Sequence, residues 1–433
     1  MKLELANFPV RNVQFSERTI YDNGVLEINK KELVDLILTD KKVVSADLDV
    51  VFPGEHTRIV RIRDVIEPRV KVSGPGCVYP GILGPVETVG QGRTHKLSGV
   101  TVIPSAGYRP TIMHGITAHA MGIIDMWGSG AKVTPYGSTI NIVLTLELAD
   151  VISEWEAHVA IQLAQFKVAK VLAETTKNKT PESMEVFELF KVDSSFPKIV
   201  YILSVLTSPT GPHAYIAFYG WPMRESLPVF VHPNEFFDGA VTTDARQGGG
   251  TRTVTWNWMN LPVILELFKE HGKSLNFLGV ILQRTFFEAE HAKQVSAASA
   301  SQMAKLLGAD GAIITHTSPS GANFIDVMMT VQACERRGVK TVLISPEWGG
   351  REGADIPLMM YVPEANAMVS TGSHERDIEV PNPAKIVGLG NSKSVQLYSE
   401  ELIDPWKELT LARYDITSGS DFFGNMNLIC KEY

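Results

Sequence analysis

The chain has 433 residues, of which 44% are hydrophobic and 20% charged, and carries a formal net charge of −8. This length implies two or three domains, and the negative balance without a clustered Lys/Arg run excludes a nucleic-acid surface. No apolar run approaches the roughly 20 residues a membrane-spanning helix needs, and Lys2, Glu4 and Arg11 interrupt the opening before a signal-peptide core could form, so a cytoplasmic protein is expected.

Residues 1–150 carry short β-branched, often alternating segments between Pro and Gly breaks: Lys2–Leu5, Gly24–Ile28, Val43–Val51, Arg58–Ile62 and Arg69–Val72. Such alternation marks half-buried strands and predicts a β-rich domain or barrel. A long helix is expected next. Ser153 followed three residues later by Glu156 makes a capping box, and Trp155, Val159, Leu163, Phe166, Ala169 and Ala173 recur at helical spacing as an apolar stripe. Lys177–Pro181 reads as an exposed polar turn, and Lys198–Leu206, Ala214–Tyr219 and Leu227–Val231 read as strands.

After Pro262 the strand-like segments Leu275–Leu282, Gly311–His316, Thr341–Pro346 and Ala367–Thr371 alternate with helical runs at Ala289–Leu307 and Asn323–Gly338. That is the pattern of a parallel α/β sheet. The expected fold class is therefore mixed α/β (α+β): a β-rich domain over 1–150, a long helix with mixed strands over 151–262, and a parallel-sheet domain over 263–433. Ligands of such sheets sit beyond the strand carboxyl ends. The loop His316–Asn323 occupies that place, either as a ligand loop before an anion-favouring helix N-terminus or as an ordinary Ser/Gly/Asn-rich connection.

The only cysteines are Cys77, Cys334 and Cys430, too far apart for a CxxC redox pair or a disulfide framework. Cys334, within a helical run, reads as a small buried apolar residue, and Cys77 as a loop residue with no adjacent base.

Gly92-Arg93-Thr94-His95 combines a planar cation, a hydroxyl and an imidazole in what reads as a glycine-bounded turn. The set suits bidentate capture of a carboxylate with a proton at hand, although Arg93 could equally pair with a structural acid. Asp125, in Gly122-Ile-Ile-Asp125-Met, is a candidate to orient a histidine or to neutralise a structural arginine. His114, His119 and Asp125 fit no established zinc spacing, so no metal is expected.

Taken in order, Met1-Lys-Leu-Glu-Leu5, Gly24-Val-Leu-Glu-Ile28, Val65-Ile-Glu-Pro-Arg-Val-Lys71, Gly74-Pro-Gly76, Gly92-Arg-Thr-His95, Gly122-Ile-Ile-Asp-Met126, His232-Pro-Asn-Glu235, Asp238-Gly-Ala240, Asn260-Leu-Pro262, Leu275-Asn-Phe-Leu-Gly-Val280 and Gly308-Ala-Asp-Gly-Ala-Ile-Ile314 resemble the pyruvoyl-forming proprotein subunit of component B in the glycine/sarcosine/betaine reductases. The resemblance implies a precursor that cleaves itself before a cysteine in the region after Asp-Gly-Ala, turning that cysteine into a pyruvoyl group. It also implies that the substrate amine condenses with this ketone, and that a thiol or selenol on a companion subunit attacks the neighbouring carbon.

Here the region reads Val241-Thr-Thr243-Asp244-Ala-Arg246, with no sulfur nucleophile. No pyruvoyl cofactor is therefore expected. A Gly250-Thr251 bond could in principle expose a nucleophilic threonine, but Gln247–Thr251 is more simply a turn-forming loop. His213, a further candidate, is followed by Ala214 where the resembling family has an acidic residue, which removes one means of raising the imidazole's basicity. Tyr219, Trp221, Trp256 and Trp258 flank the altered stretch, and tryptophan faces attract quaternary or sulfonium cations. A quaternary nitrogen cannot form a Schiff base and already leaves readily.

The expected protein is the substrate-binding subunit of a reductase-like oxidoreductase complex, taking a small-molecule substrate and working as a hetero-oligomer. Its companion would be a second component-B-like subunit bearing a reactive Cys or selenocysteine. The candidate catalytic residues are His95, Asp125 and His213, and the candidate substrate contacts are Arg93, Thr94, Thr243, Asp244, Arg246, Trp256 and Trp258. A noncatalytic scaffold subunit and a stand-alone binding protein are the alternatives.

Overall fold

In the computed structural model, the residues described are 1–107, 122–207, 216–223, 226–243, 253–285, 290–317, 321–352, 358–389, 395–397 and 402–426. The fold is mixed α/β. Three larger sheets carry it, built from segments that alternation marks in the sequence and, in the first two, from others it does not, such as Val100–Ala106 and Ile140–Leu148.

The first has four strands in the order Ser183–Glu188, Lys2–Pro9, Gly92–Ser98, Arg69–Ser73. Lys2–Pro9 and Gly92–Ser98 run parallel, with Glu4 opposite Arg93. Arg69–Ser73 runs antiparallel to Gly92–Ser98, with Lys71 opposite Thr94. The Gly92-Arg-Thr-His95 piece is thus a strand and not the turn its leading glycine suggests. Gly92 has φ +83°, and a Cβ there would lie 2.2 Å from Ser73 O, so the glycine permits close strand approach rather than a reversal.

The second sheet aligns Gly122–Asp125, Thr57–Ile62, Val100–Ala106, Ile140–Leu148 and Val43–Val51. Lys385–Val387, far along the chain, adds to Thr57–Ile62 in parallel. A helix over Glu154–Glu174 covers these sheets, started by the Ser153/Glu156 capping box. Its buried side chains include Ala157, Ala160, Ile161, Ala164, Phe166, Val168, Ala169, Leu172 and Ala173, while Trp155 is 45% exposed. The later half of the expected stripe, Phe166, Ala169 and Ala173, is therefore buried as expected; alanines let the helix approach the sheet, and Trp155 at its start is left outside.

The third sheet has the order Val229–Val231, Asn276–Thr285, Lys198–Leu206, Gly311–His316, Lys340–Glu347, Met368–Ser373. Its last five strands are parallel and its first is an antiparallel edge. The earliest of the parallel strands, Lys198–Leu206, lies between the second and the third, so successive crossovers go to opposite sides of it. This is the 2-1-3-4-5 order of doubly wound folds. Helices Glu290–Leu306 and Gly321–Arg336 pack on one face, and helix Pro262–Glu270 contributes to the core on the other. Two of the sheet's strands precede residue 262, and Lys385–Val387 returns to the second sheet, so sheet membership crosses the boundary drawn at 262.

Candidate functional site

Strand alternation divides Gly92-Arg-Thr-His95 between two environments. Arg93 Nη2 lies 2.6 Å from Glu4 Oε2, its cross-strand neighbour, and the pair is partly exposed. Arg93 therefore holds a structural acid. His95 is buried, its Nδ1 3.1 Å from Thr176 Oγ1 and its ring 4.8 Å from that of Phe8; burial lowers its pKa and favours the neutral ring.

Thr94 faces the other way and donates to Asp238 Oδ1 at 2.5 Å. Asp238 is fully buried, paired with Lys71 and accepting from Gly90 N–H at 2.8 Å. The Asp238-Gly-Ala240 motif is thereby clamped by two strands of the first sheet. Beside it, Arg69 joins Glu67 Oε2 at 2.7 Å to the carbonyl of Phe237 at 2.8 Å and Asn260 Oδ1 at 2.7 Å.

Downstream, Val241–Thr243 is a buried strand against Ile216–Phe218. Thr243 Oγ1 donates to Thr253 O at 3.1 Å and accepts from Trp258 Nε1 at 2.8 Å. Its N–H donates to Thr255 Oγ1 at 3.0 Å, and Thr255 in turn donates from both N–H and Oγ1 to the buried Asp64 at 2.7 Å. Burial pushes the Asp64 carboxyl up to about 7, against the pull of those donors. Thr242 Oγ1 is buried with no hydrogen-bond partner.

Asp125 forms a bidentate pair with Arg58 at 2.7 and 3.0 Å, both side chains buried. Arg58 also donates to the carbonyls of Pro381, Pro405 and Lys407. Asp125 is thus the counter-ion of an arginine that ties the second sheet to the C-terminal segments. Trp258 is fully buried beside Phe423, 5.6 Å between rings, while Trp256 packs edge-on to Tyr136 in a different core. The two indoles therefore cannot present their faces together to one cation. The two that share an open surface are Trp155 and Trp221, which with Phe218, Pro222, Met223 and Val229 line an apolar cleft of about 850 Å³.

His213, Asp244, Arg246, His114, His119, Cys430 and the Gln247–Thr251 loop lie outside the described residues. Cys334 is buried, and its thiol is pushed up to about 12 by that burial. Cys77 is half-buried and also raised, mainly by desolvation. Among the described residues no cluster of three or more His, Cys, Asp or Glu could hold a metal, and no helix is long and apolar enough to cross a membrane.

The family described as glycine/sarcosine/betaine reductase component B subunits matches residues 1–401. The chain belongs to this family. It is 34% identical over 395 residues to the glycine reductase complex component B subunits alpha and beta of Acetoanaerobium sticklandii, covering 90% of this chain and 89% of that one. It is 34% identical over 398 residues to the betaine reductase complex component B subunit alpha of Peptoclostridium acidaminophilum, covering 90% and 88%. The sarcosine reductase counterpart from the same organism is 32% identical over 396 residues, 90% of each chain. No solved structure matches. Members of the family are components of oxidoreductase complexes. Within it, this chain has no cysteine between Cys77 and Cys334.

Sequence reasoning missed the Lys71–Asp238 pair and the Asp64–Thr255 pair. Asp238 lies in the Asp-Gly-Ala motif, but nothing local signals that a lysine 167 residues earlier pairs with it.

Proposed function

We propose that this chain is the substrate-binding subunit of a glycine/betaine reductase-like complex that breaks a carbon–heteroatom bond, and that it works without a pyruvoyl group. The attacking thiol or selenol resides on a companion subunit. Its anion forms the new bond to carbon, and the bonding pair leaves with the heteroatom, which needs no ketone if it is already a good leaving group.

The observation that carries this reading lies in the stretch after Asp238-Gly-Ala240. It contains no cysteine, and the Thr243 hydroxyl is engaged as both donor and acceptor. A hydroxyl held in that way is a poor candidate to attack its preceding carbonyl. The residues present do not fit a self-made pyruvoyl group. The clamp of Lys71, Thr94 and Gly90 around Asp238 holds this strand in place with no cofactor needed.

The test is biochemical. The freshly purified chain should give one intact mass and no adduct with a hydrazine probe, and substrate loss should require a co-purifying companion subunit and a thiol reductant. Two fragments by mass, a trapped carbonyl, or full turnover by this chain alone would each remove the proposal.

A further inference from the structure

We propose that Arg413, at the carboxyl edge of the parallel sheet, receives the carboxylate of the small-molecule ligand. The inference rests on the substrate-binding reading only for whose carboxylate it is. The segment from Arg413 to Met426 runs along this edge and joins it to the Thr243 region. Ser418 Oγ donates to Asn257 Oδ1 at 2.9 Å, in the short helix that carries Thr255 and Trp258. Thr417 N–H donates to Ile123 O at 2.9 Å, Phe423 packs on Trp258, and Phe422 lies 6.3 Å from the ring of His316 at the end of its strand.

Arg413 is half-buried within this segment. Its Nε is shielded from solvent with no hydrogen-bond partner, and Nη1 reaches only Ser373 O, at 3.5 Å. A Cβ placed at Gly372 would lie 3.5 Å from Nη1, which locates the guanidinium over the last residues of the Met368–Ser373 strand. The acid that feels its charge is Asp421, but that carboxylate already accepts four backbone N–H groups, from Phe423, Gly424, Asn425 and Met426, at 2.8 to 3.3 Å. Arg376 adds a second positive charge nearby.

A guanidinium offers five donors in a fork matched to a carboxylate, and a partly desolvated one without such a partner is costly. The hydroxyls of Thr371, Thr417 and Ser420, on the same strand end and segment, are buried and likewise unpartnered. The segment is held rigidly: a Cβ at Gly419 would fall 2.2 Å from Arg413 O, so only glycine allows the turn. A planar carboxylate would complete the guanidinium fork and could take hydroxyl donors as well. The place lies beyond the carboxyl end of the edge strand Met368–Ser373, on the side where ligands of doubly wound sheets bind, although away from the switch point at Lys198–Leu206.

The test uses the full chain titrated calorimetrically with acetate and with glycine betaine, acetamide serving as the uncharged isostere and inorganic phosphate as a tetrahedral anion. Both carboxylates should bind at least about tenfold tighter than acetamide, and Arg413→Gln should abolish that preference. Arg413→Lys keeps the charge without the fork and should fall between, guarding against a variant that fails to fold. Absence of carboxylate preference in the unaltered chain, equal binding by a folded Arg413→Gln chain, or preference for phosphate over both carboxylates would overturn the assignment. Carboxylate binding through Arg413 with no turnover in any assembled complex would instead overturn only the functional reading.

Discussion

Two sets of buried polar groups in this molecule differ in how completely they are paired. Around Arg58, Asp125, Lys71 and Asp238, each charge meets an opposite charge and further hydrogen bonds. At the carboxyl ends of parallel strands and on the C-terminal segment that runs past them, the hydroxyls of Ser204, Thr207, Thr371, Thr417 and Ser420 and the Nε of Arg413 have no partner. A buried polar group left unpaired costs about 1–3 kcal/mol. The paired set therefore acts as internal scaffolding that locks distant segments together, whereas the unpaired set leaves donors available to a guest. Richness in polar residues does not by itself mark a site, and unpaired groups such as Thr242 occur elsewhere; what sets this region apart is incomplete pairing gathered around a guanidinium.

The sharpest way to break this contrast is to remove one member of a paired set. Asp125→Ala leaves Arg58 buried without its counter-ion and should cost about 3–5 kcal/mol in denaturant unfolding. A loss below about 1 kcal/mol would mean that the arginine finds water instead.

Thr94→Val deletes one donor to Asp238 and should cost about 1–3 kcal/mol by the same measurement, because the carboxylate stays buried. The matching change at the other region, Thr371→Val, removes a hydroxyl that has no partner and should be neutral or slightly stabilising. Equal losses at the two threonines would erase the distinction.

Asp64 sharpens the comparison through pH. Its folded-state pKa, about 7, lies above the unfolded value of about 3.9. Its contribution to stability is therefore fully present below pH ~4 and is lost as pH rises to about 7. Asp64→Asn should flatten that part of the stability profile, and an unchanged slope would show the carboxyl to be ionised throughout. A small loss belongs to Arg93→Ala, at most about 1 kcal/mol, since its pair with Glu4 is partly exposed. Loss of carboxylate binding in that variant would return Arg93 to the site.

Much of the architecture was legible in the sequence because it is local. The strand at Gly311–His316 and that at Lys198–Leu206 fall where β-branched runs put them, and the Ser153/Glu156 box starts its helix as capping chemistry requires. The helix at Lys30–Ile37 was not anticipated, although Asn29 caps it and accepts from Glu32 N–H. Of the candidate site, Thr243 lies in the buried stretch after the Asp-Gly-Ala motif. Arg93, His95 and Asp125 were singled out for chemistry that suits a ligand equally well as a protein partner, and the partners they have are Glu4, Thr176 and Arg58.

The sequence by itself determined the family, the alternation of strands and helices after residue 262, and the absence of a cysteine after Asp238-Gly-Ala240, because these are properties of residue order. Only the tertiary structure decided that Lys198–Leu206 is the strand about which the parallel sheet reverses direction, that Lys71 and Thr94 meet Asp238, and that Arg413 stands at the sheet edge without a saturating acid. Those outcomes depend on which distant segments share a buried environment, and burial is what turns a charge or a hydroxyl from a solvated group into one that must be paired.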